Sequence, residues 1–317
     1  MKPLLLVVAL AFAPFAHAQT WPAKPLRAIV PVGAGSSTDI VHRLVLEQLS
    51  VRLGQPIVVE NRTGAGGTIG SAAVAKAEPD GYTFLANGSA HTIAPALYKS
   101  LPYDATRDFV PVVPVGISPS VLVVTPSGGI VTAQALVAAA KARPGALNFS
   151  SVGIGTATHL SAERFVSSAG IDVVHVPFKG GAEATLEVIA GRVDFFFGPV
   201  ALVLPHIREG KLRGLAVNGA KRSATLPDVP TLQQAGYSDA EYPIWFGLFA
   251  PARTPDAIVA KLNRETLSVL QTPALREKLS GLGVDAMAMT PQEFKAHVER
   301  EIALNASLAK KAGLKAN

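Results

Sequence analysis

The sequence contains no cysteine, which excludes disulfides, thiol nucleophiles and cysteine-ligated metal centres. The folded chain must therefore be stabilised by its core alone. Aromatic residues make up only 6% of the 317 residues, and lysine and arginine are scattered although the formal net charge is +6. Since a nucleic-acid-binding surface needs clustered basic side chains, we expect no nucleic-acid partner.

Sequence motifs of catalysis are also missing. The chain has no G-x-S-x-G turn, no H-E-x-x-H helix and no phosphate-binding Gly-Lys-Ser/Thr loop. His159 and Glu163 have helical i, i+4 spacing, but two ligands of this kind are more typical of a surface or capping contact than of a metal site. We therefore expect no enzyme, no cofactor and no bound metal, and we assign no catalytic residue.

Long apolar runs are confined to the N-terminus. Lys2 precedes the run Leu4–Phe12, and the small-residue motif Ala16-His17-Ala18 follows it. A short positive region, an apolar run of this length and an A-x-A site predict a signal peptide over residues 1–18, cleaved after Ala18. Pro14 interrupts the run, which is too short to span a membrane. The sequence thus predicts an exported chain.

The remainder of the chain alternates short β-branched runs with helical periodicity. The first elements are a strand at 26–32, a helix at 39–53, a strand at 56–60, a helix at 71–77 and a strand at 82–86. This order predicts parallel strands with helices on both faces, and a second series of the same kind begins near residue 120. A chain of this length exceeds one ordinary core, so we expect two α/β domains.

A turn rich in Gly, Ser and Thr joins a strand to a helix twice, at 32–39 and at 150–159. The first N–H groups of a helix have no internal partner and the helix dipole is positive there, so such turns bind anions. Two of them predict one ligand held between two lobes. Other strand ends contribute as well, because ligands of open α/β sheets bind beyond the carboxyl ends of strands. The candidate ligand-binding residues are Val32, Gly35, Ser36, Thr38, Asp39, Asn87, Ser89, Ser150, Ser151, Gly155, Thr156, Thr158, His159 and Gly198.

Two of these assignments have alternatives. The pattern Gly33-x-Gly35-x-x-Thr38, with Glu60 ending the next strand, approaches a dinucleotide-binding fingerprint. Thr38 stands where that fingerprint needs its third glycine, and export separates the protein from the nucleotide pool, so we do not favour a nucleotide. Asp39 fits an acidic cap in the first helical turn better than a direct ligand contact.

The order of motifs from Trp21 to Gly313 resembles the Bug family, the periplasmic substrate-binding proteins of tripartite tricarboxylate transporters. The resemblance is carried by segments at 30–43, 59–70, 79–82, 103–111, 150–159, 175–181, 226–231 and 245–255. It implies a two-lobed periplasmic-binding-protein fold of type II (a Venus flytrap), in which two Rossmann-like lobes enclose a ligand cleft. We expect lobe I to comprise 19–117 and 241–317 and lobe II to comprise 118–240.

The resemblance further implies a monomeric periplasmic protein that captures a small organic acid and delivers it to integral-membrane permease subunits. In the family, the two turns grip a carboxylate, partly through ordered water. A periplasmic sensor for a membrane histidine kinase is the alternative function, and a small α/β enzyme is a less favoured one. Two departures are visible: Val32 stands where the family usually has Phe, and Leu304-Asn305 stands where a Trp is common. The loss of the aromatic side chain at Val32 should reshape that wall of the pocket.

Overall fold

The computed structural model describes residues 21–311 and 313–314. The predicted signal peptide lies outside the described residues. Within the described part, no helix combines the length and the apolar character that a membrane crossing requires. The strands are β1 (Leu26–Val30), β2 (Ile57–Asn61), β3 (Thr83–Gly88), β4 (Phe109–Ser118), β5 (Ser120–Val124), β6 (Asn148–Ser151), β7 (Val174–Pro177), β8 (Phe195–Pro199), β9 (Arg213–Val217) and β10 (Ile244–Pro251).

The helices alternate with these strands and follow them at the C-terminus. They are α1 (Ser37–Leu53), α2 (Thr68–Ala75), α3 (Ser89–Leu97), α4 (Ala133–Ala142), α5 (Ala157–Ala169), α6 (Gly181–Ile189), α7 (Val200–Arg208), α8 (Asp256–Leu270), α9 (Pro273–Gly281) and α10 (Pro291–Lys311).

The strands form two five-stranded sheets, with the orders β2-β1-β3-β10-β4 and β7-β6-β8-β5-β9. Apolar side chains cover both faces of each sheet. In the first sheet, Phe246 packs with α1 on one face and Phe249 packs with Phe294 on the other. In the second, Phe195 and Phe196 are fully buried on opposite faces. This two-lobed α/β arrangement confirms the predicted fold class.

Two details differ from the sequence prediction. Both sheets are mixed, because β10 runs antiparallel to β3 and β4, and β5 runs antiparallel to β8 and β9. β10 and β5 are the strands that follow the passages between the lobes, so they enter their sheets without the helical crossover that makes neighbours parallel. No helix was predicted directly after the strand at 82–86, but α3 begins at Ser89. Pro95 inside this helix weakens its sequence signal.

The chain passes between the sheets twice, and one buried side chain connects the two passages. Asn218 Oδ1 accepts the N–H of Ser120 at 2.6 Å, and Asn218 Nδ2 donates to the carbonyl of Tyr242 at 2.6 Å. Tyr242 then reaches the first lobe, because its hydroxyl donates to Asn305 Oδ1 at 2.5 Å. Asn305, at the place where a Trp was expected from the resemblance, is completely buried and donates to Thr92 Oγ1. The hinge region is therefore built from polar side chains that hold both crossings together.

Candidate functional site

The two predicted turns have the same construction. The first leads from β1 into α1 and the second from β6 into α5. Ser36 and Thr156 are the N-cap residues, and both have extended backbone conformations. Their hydroxyl oxygens accept the backbone N–H groups of Asp39 and His159, at 3.3 and 3.4 Å. Each turn therefore presents a capped helix N-terminus at the carboxyl end of a parallel strand, which is an anion-binding arrangement.

The glycine before each cap fixes the path of the turn. Gly35 and Gly155 have φ values of +79° and +72°, which a residue with a side chain adopts only under strain. The N–H of Gly35 donates to Asp39 Oδ2 at 2.9 Å, and the N–H of Gly155 donates to His159 Nδ1 at 2.9 Å. In both turns this N–H thus points back to the side chain four residues later, and other donors remain for a ligand.

The Asp39 carboxylate is buried and surrounded by donors. Arg43 Nε lies 2.9 and 3.0 Å from its two oxygens, and Asn61 Nδ2 lies 2.9 Å from Oδ1. Burial raises the pKa of Asp39, but the hydrogen bonds from Arg43, Gly35 and Asn61 outweigh it and hold the pKa below its usual range. Asn61 also donates to the carbonyl of Val32 at 3.0 Å. Asp39 therefore orients the first turn with a negative charge that Arg43 already pairs.

His159 takes the corresponding place in the second turn. Its ring is buried and stacks on His175, with 3.7 Å between centroids and 15° between planes. Because Nδ1 accepts the N–H of Gly155, the proton of the neutral ring is assigned to Nε2, which lies 3.4 Å from Glu163 Oε1. Burial and the neighbouring His159 lower the pKa of His175 to about 4. Among the described residues no group of three or more His, Asp or Glu side chains is placed to hold a metal.

Most other candidate residues support the strand ends through internal hydrogen bonds. Ser150 donates to the carbonyl of Ala184, and Ser151 Oγ lies 2.6 Å from His175 Nε2. Ser89 Oγ accepts the N–H of Trp245. Thr156 donates to the carbonyl of Gly153, and Thr158 Oγ1 accepts the N–H of Val152. Asn87 and Gly198 are buried near the ends of β3 and β8. These residues lie at or next to the carboxyl ends of β3, β6 and β8.

A smaller group of donors is left open at the two turns. Within the described part of the chain, the hydroxyls of Ser36 and Thr38 donate no hydrogen bond, and both residues are half-buried. The N–H groups of Gly33 and Ile154 have no partner among the same residues, and Ile154 is 57% exposed. Val32 is half-buried and packs against the core of its lobe. The open donors are neutral, so the cleft offers hydrogen bonds and helix dipoles to an anion.

Two of the contacts between the lobes involve glycines beside the carboxyl ends of the second sheet. Leu97, the last residue of α3, lies against Gly155: a Cβ on this glycine would overlap Leu97 Cδ1 and lie 3.1 Å from Cγ. Gly283 approaches Val200, the first residue of α7, so closely that a Cβ there would lie 2.9 Å from the valine Cβ. The second turn is therefore in direct contact with the first lobe.

Four residues at these turns were not among the predicted site residues: Arg43, Asn61, Leu97 and His175. Asn61 ends β2, the parallel neighbour of β1, and pairs in register with Val30. The rule that placed candidates at strand ends would have found it. His175 lies on β7, the parallel neighbour of β6, and pairs in register with Phe149. The position of Leu97 depends on how two lobes pack together, for which no local sequence signal exists.

Comparison with known proteins finds a matching family model and a similar protein of comparable length. The family model described as "Tripartite tricarboxylate transporter family receptor" (TctC) matches residues 41–314. The protein BugT of Bordetella pertussis is 38% identical over 300 residues, covering 94% of this chain and 92% of BugT.

Two solved structures have similar folds and similar lengths. Rpa4515 of R. palustris with adipate has a TM-score of 0.83 at 34% identity, covering 93% of this chain and 100% of that one. MatC (Rpa3494) of Rhodopseudomonas palustris with bound malate has a TM-score of 0.79 at 31% identity, covering 91% and 99% of the two chains.

Proposed function

Because this chain belongs to the receptor family of tripartite tricarboxylate transporters, we propose that it captures a small carboxylate-bearing solute in the cleft between its lobes. Members of this family are periplasmic solute-binding receptors and not enzymes. The observation that carries the proposal is the pair of turns with the same N-cap and the same glycine, one on each lobe. Each adds free N–H groups at a helix N-terminus, and the negative charge of Asp39 is already paired with Arg43.

The ligand class follows from the chemistry of these donors together with the relatives. Neutral N–H and O–H donors at a helix N-terminus suit a carboxylate, and they do not discriminate what the carboxylate is attached to. Two relatives were solved with adipate and malate, both of which are dicarboxylates. We therefore assign a dicarboxylate, with one carboxylate group at the turns. Ser36, Thr38 and the N–H groups of Gly33 and Ile154 are the proposed direct contacts.

The other candidate residues receive indirect roles in this proposal. Val32 forms a wall of the pocket, Asp39 and His159 hold the turns, and Gly35 and Gly155 allow their backbone path. The hydroxyl and amide side chains at the strand ends support the floor; these are Asn87, Ser89, Ser150, Ser151, Thr156 and Thr158, together with the close-packed Gly198.

The wider role is part of the same proposal. We assign lobe I to 19–117 and 241–317 and lobe II to 118–240, with closure of the lobes completing the contacts around the ligand. A ligand favours the closed form only through contacts made in that form, and the two half-sites on separate lobes meet this condition. The protein is then a monomer exported to the periplasm by its cleaved signal peptide, and it passes the solute to permease subunits in the membrane.

A thermal-shift screen followed by calorimetry tests the ligand class. The mature chain is titrated with adipate, malate, monocarboxylates, tricarboxylates and amino acids. A ligand at about 100 times its Kd should add roughly 2.7 kcal/mol of stability. The assignment is contradicted if amino acids stabilise the protein and dicarboxylates do not. It is also contradicted if none of these compounds stabilises the protein.

A single hydroxyl deletion tests the site. Ser36→Ala removes an open donor from the first turn and should weaken dicarboxylate binding by about 1–2 kcal/mol, the contribution of a hydrogen bond to a charged group. Ser268→Ala is the matched control, because Ser268 lies in a groove with the C-terminal end of α1, at the opposite end of the helix from the turn. Equal affinities of the two variants would exclude Ser36 as a contact.

A further inference from the structure

The two donor turns share a five-residue pattern whose last residue differs in chemistry: Gly-Ser-x-Thr-Asp at 35–39 and Gly-Thr-x-Thr-His at 155–159. We propose that Asp39 and His159 are equivalent positioning residues, each of which holds its donor turn in the binding shape by accepting the N–H of the glycine four residues before it. This inference rests on the proposed function of the turns as the carboxylate site.

The hydrogen bonds of the two residues support this equivalence. Both side chains are buried, with 2% and 1% exposure. Both accept the glycine N–H at 2.9 Å, and both follow an N-cap hydroxyl by three positions. Their acceptor atoms are thus occupied by the turn itself, and the residues act on a ligand only through the position of the backbone.

The two turns differ in how strongly they depend on the acceptor. Gly35 is exposed, so water can reach its N–H if Asp39 is removed. Gly155 is buried beneath Leu97, so its N–H would remain without a partner. The second turn is therefore the more sensitive one, and His159 is the residue to test.

An imidazole accepts at Nδ1 only while this nitrogen is unprotonated. Among the described residues, Glu163 on α5 and His175 on β7 face the His159 ring, and Phe149 of β6 packs against it. From α3, the apolar Leu97 lies against Gly155 of the same turn. Side chains from α5, β6 and β7 thus surround the ring whose Nδ1 accepts the Gly155 N–H.

Two substitutions at His159 separate positioning from mere packing. In His159→Asn the side-chain Oδ1 takes the place of Nδ1, accepts the Gly155 N–H and does not titrate. In His159→Leu no acceptor remains. Measured by calorimetry with adipate at about pH 7.5, the Asn variant should bind within about 3-fold of the wild type, while the Leu variant should bind roughly 10-fold more weakly. His206→Asn, a change near the C-terminal end of α7, is the control and should bind adipate like the wild type.

A ligand-free measurement distinguishes failure of this inference from failure of the proposed function. In protein labelled with ¹⁵N-glycine, the Gly155 amide proton should resonate downfield in the wild type and in His159→Asn, and it should move upfield in His159→Leu. If these shifts occur but adipate and malate do not bind at any pH, the proposed function fails and the structural role of His159 stands. If adipate binds and the Leu variant binds like the wild type, or the Asn variant binds as weakly as the Leu variant, the inference is overturned.

Discussion

The contact between Gly155 and Leu97 makes a specific prediction about the two lobes. Gly155→Ala should destabilise the protein more than a glycine replacement whose only effect is backbone strain. The new methyl group would overlap the end of the Leu97 side chain, which belongs to the other lobe. Since Leu97 is 7% exposed and packed among Ile93, Leu160 and Tyr242, it has little freedom to move away.

The expected magnitude has two parts. An alanine with φ near +72° costs about 1–2 kcal/mol, because its Cβ crowds the backbone in the left-handed region. Overpacking against a buried leucine adds about 1–3 kcal/mol. The total loss in the free energy of unfolding should therefore be about 2–5 kcal/mol.

Urea denaturation of the wild type and four variants measures both contributions to the loss of stability. Gly170→Ala is the matched control, since Gly170 has φ +59° at the end of α5 and a Cβ there would have no neighbour within 4 Å. It should lose only the backbone part. Leu97→Ala alone should cost about 2–5 kcal/mol as a buried truncation. Combined with Gly155→Ala it should cost about 1–3 kcal/mol less than the sum of the single changes, because the methyl group then has room.

Separation of the lobes is another way to relieve the overlap, and it would appear as a larger radius of gyration in small-angle X-ray scattering. If Gly155→Ala and Gly170→Ala have the same stability and the same radius of gyration, the predicted contact between Gly155 and Leu97 is refuted. Strict additivity with Leu97→Ala would refute it as well, because the two side chains would then have no contact.

Two further predictions concern buried polar groups away from the turns. Tyr242→Phe leaves Asn305 Oδ1 buried without its donor and should lower the free energy of unfolding by about 1–3 kcal/mol in urea titrations. Tyr98→Phe is the control, because Tyr98 is half-buried. Equal losses in the two variants would contradict the role of Tyr242 in the hinge. Burial lowers the pKa of His91 to about 4 from its ordinary 6.5, so the unfolded chain takes up a proton on acidification before the folded one does. Stability should fall from about pH 6.5 to about pH 4, by up to roughly 3 kcal/mol from this residue, and pH-dependent profiles that are parallel for wild type and His91→Gln would refute it.

The sequence was informative where structure depends on local pattern. Strand and helix periodicity, the two turns and the N-cap hydroxyls are encoded in neighbouring residues, so the two-lobed α/β architecture could be predicted. The helix α3 was missed because Pro95 and the preceding Gly88 are typical of loops, whereas its burial against α10 stabilises it in the fold.

The internal use of the candidate side chains could not be predicted in the same way. Asn61 reaches the first turn from the neighbouring strand, and His175 reaches the second turn from β7. The end of β2 marks Asn61 as a candidate position, but the turn that Asn61 or His175 contacts depends on strand order, which the periodicity of a single strand does not reveal. Hydroxyl and carboxylate groups that looked available to a ligand in the sequence therefore already make hydrogen bonds within the protein.

The place of β10 in the first sheet constrains the order in which the protein can fold. β10 lies between β3 and β4, yet the ribosome makes it after every strand of the second sheet. Until residue 251 is synthesised, β3 and β4 have no common partner, and the first sheet lacks an interior strand. The second sheet needs only one continuous stretch of chain, from 120 to 217. The lobe that begins first is thus completed last, and pairing of β10 with β3 closes a long loop whose slow formation is set by its sequence separation.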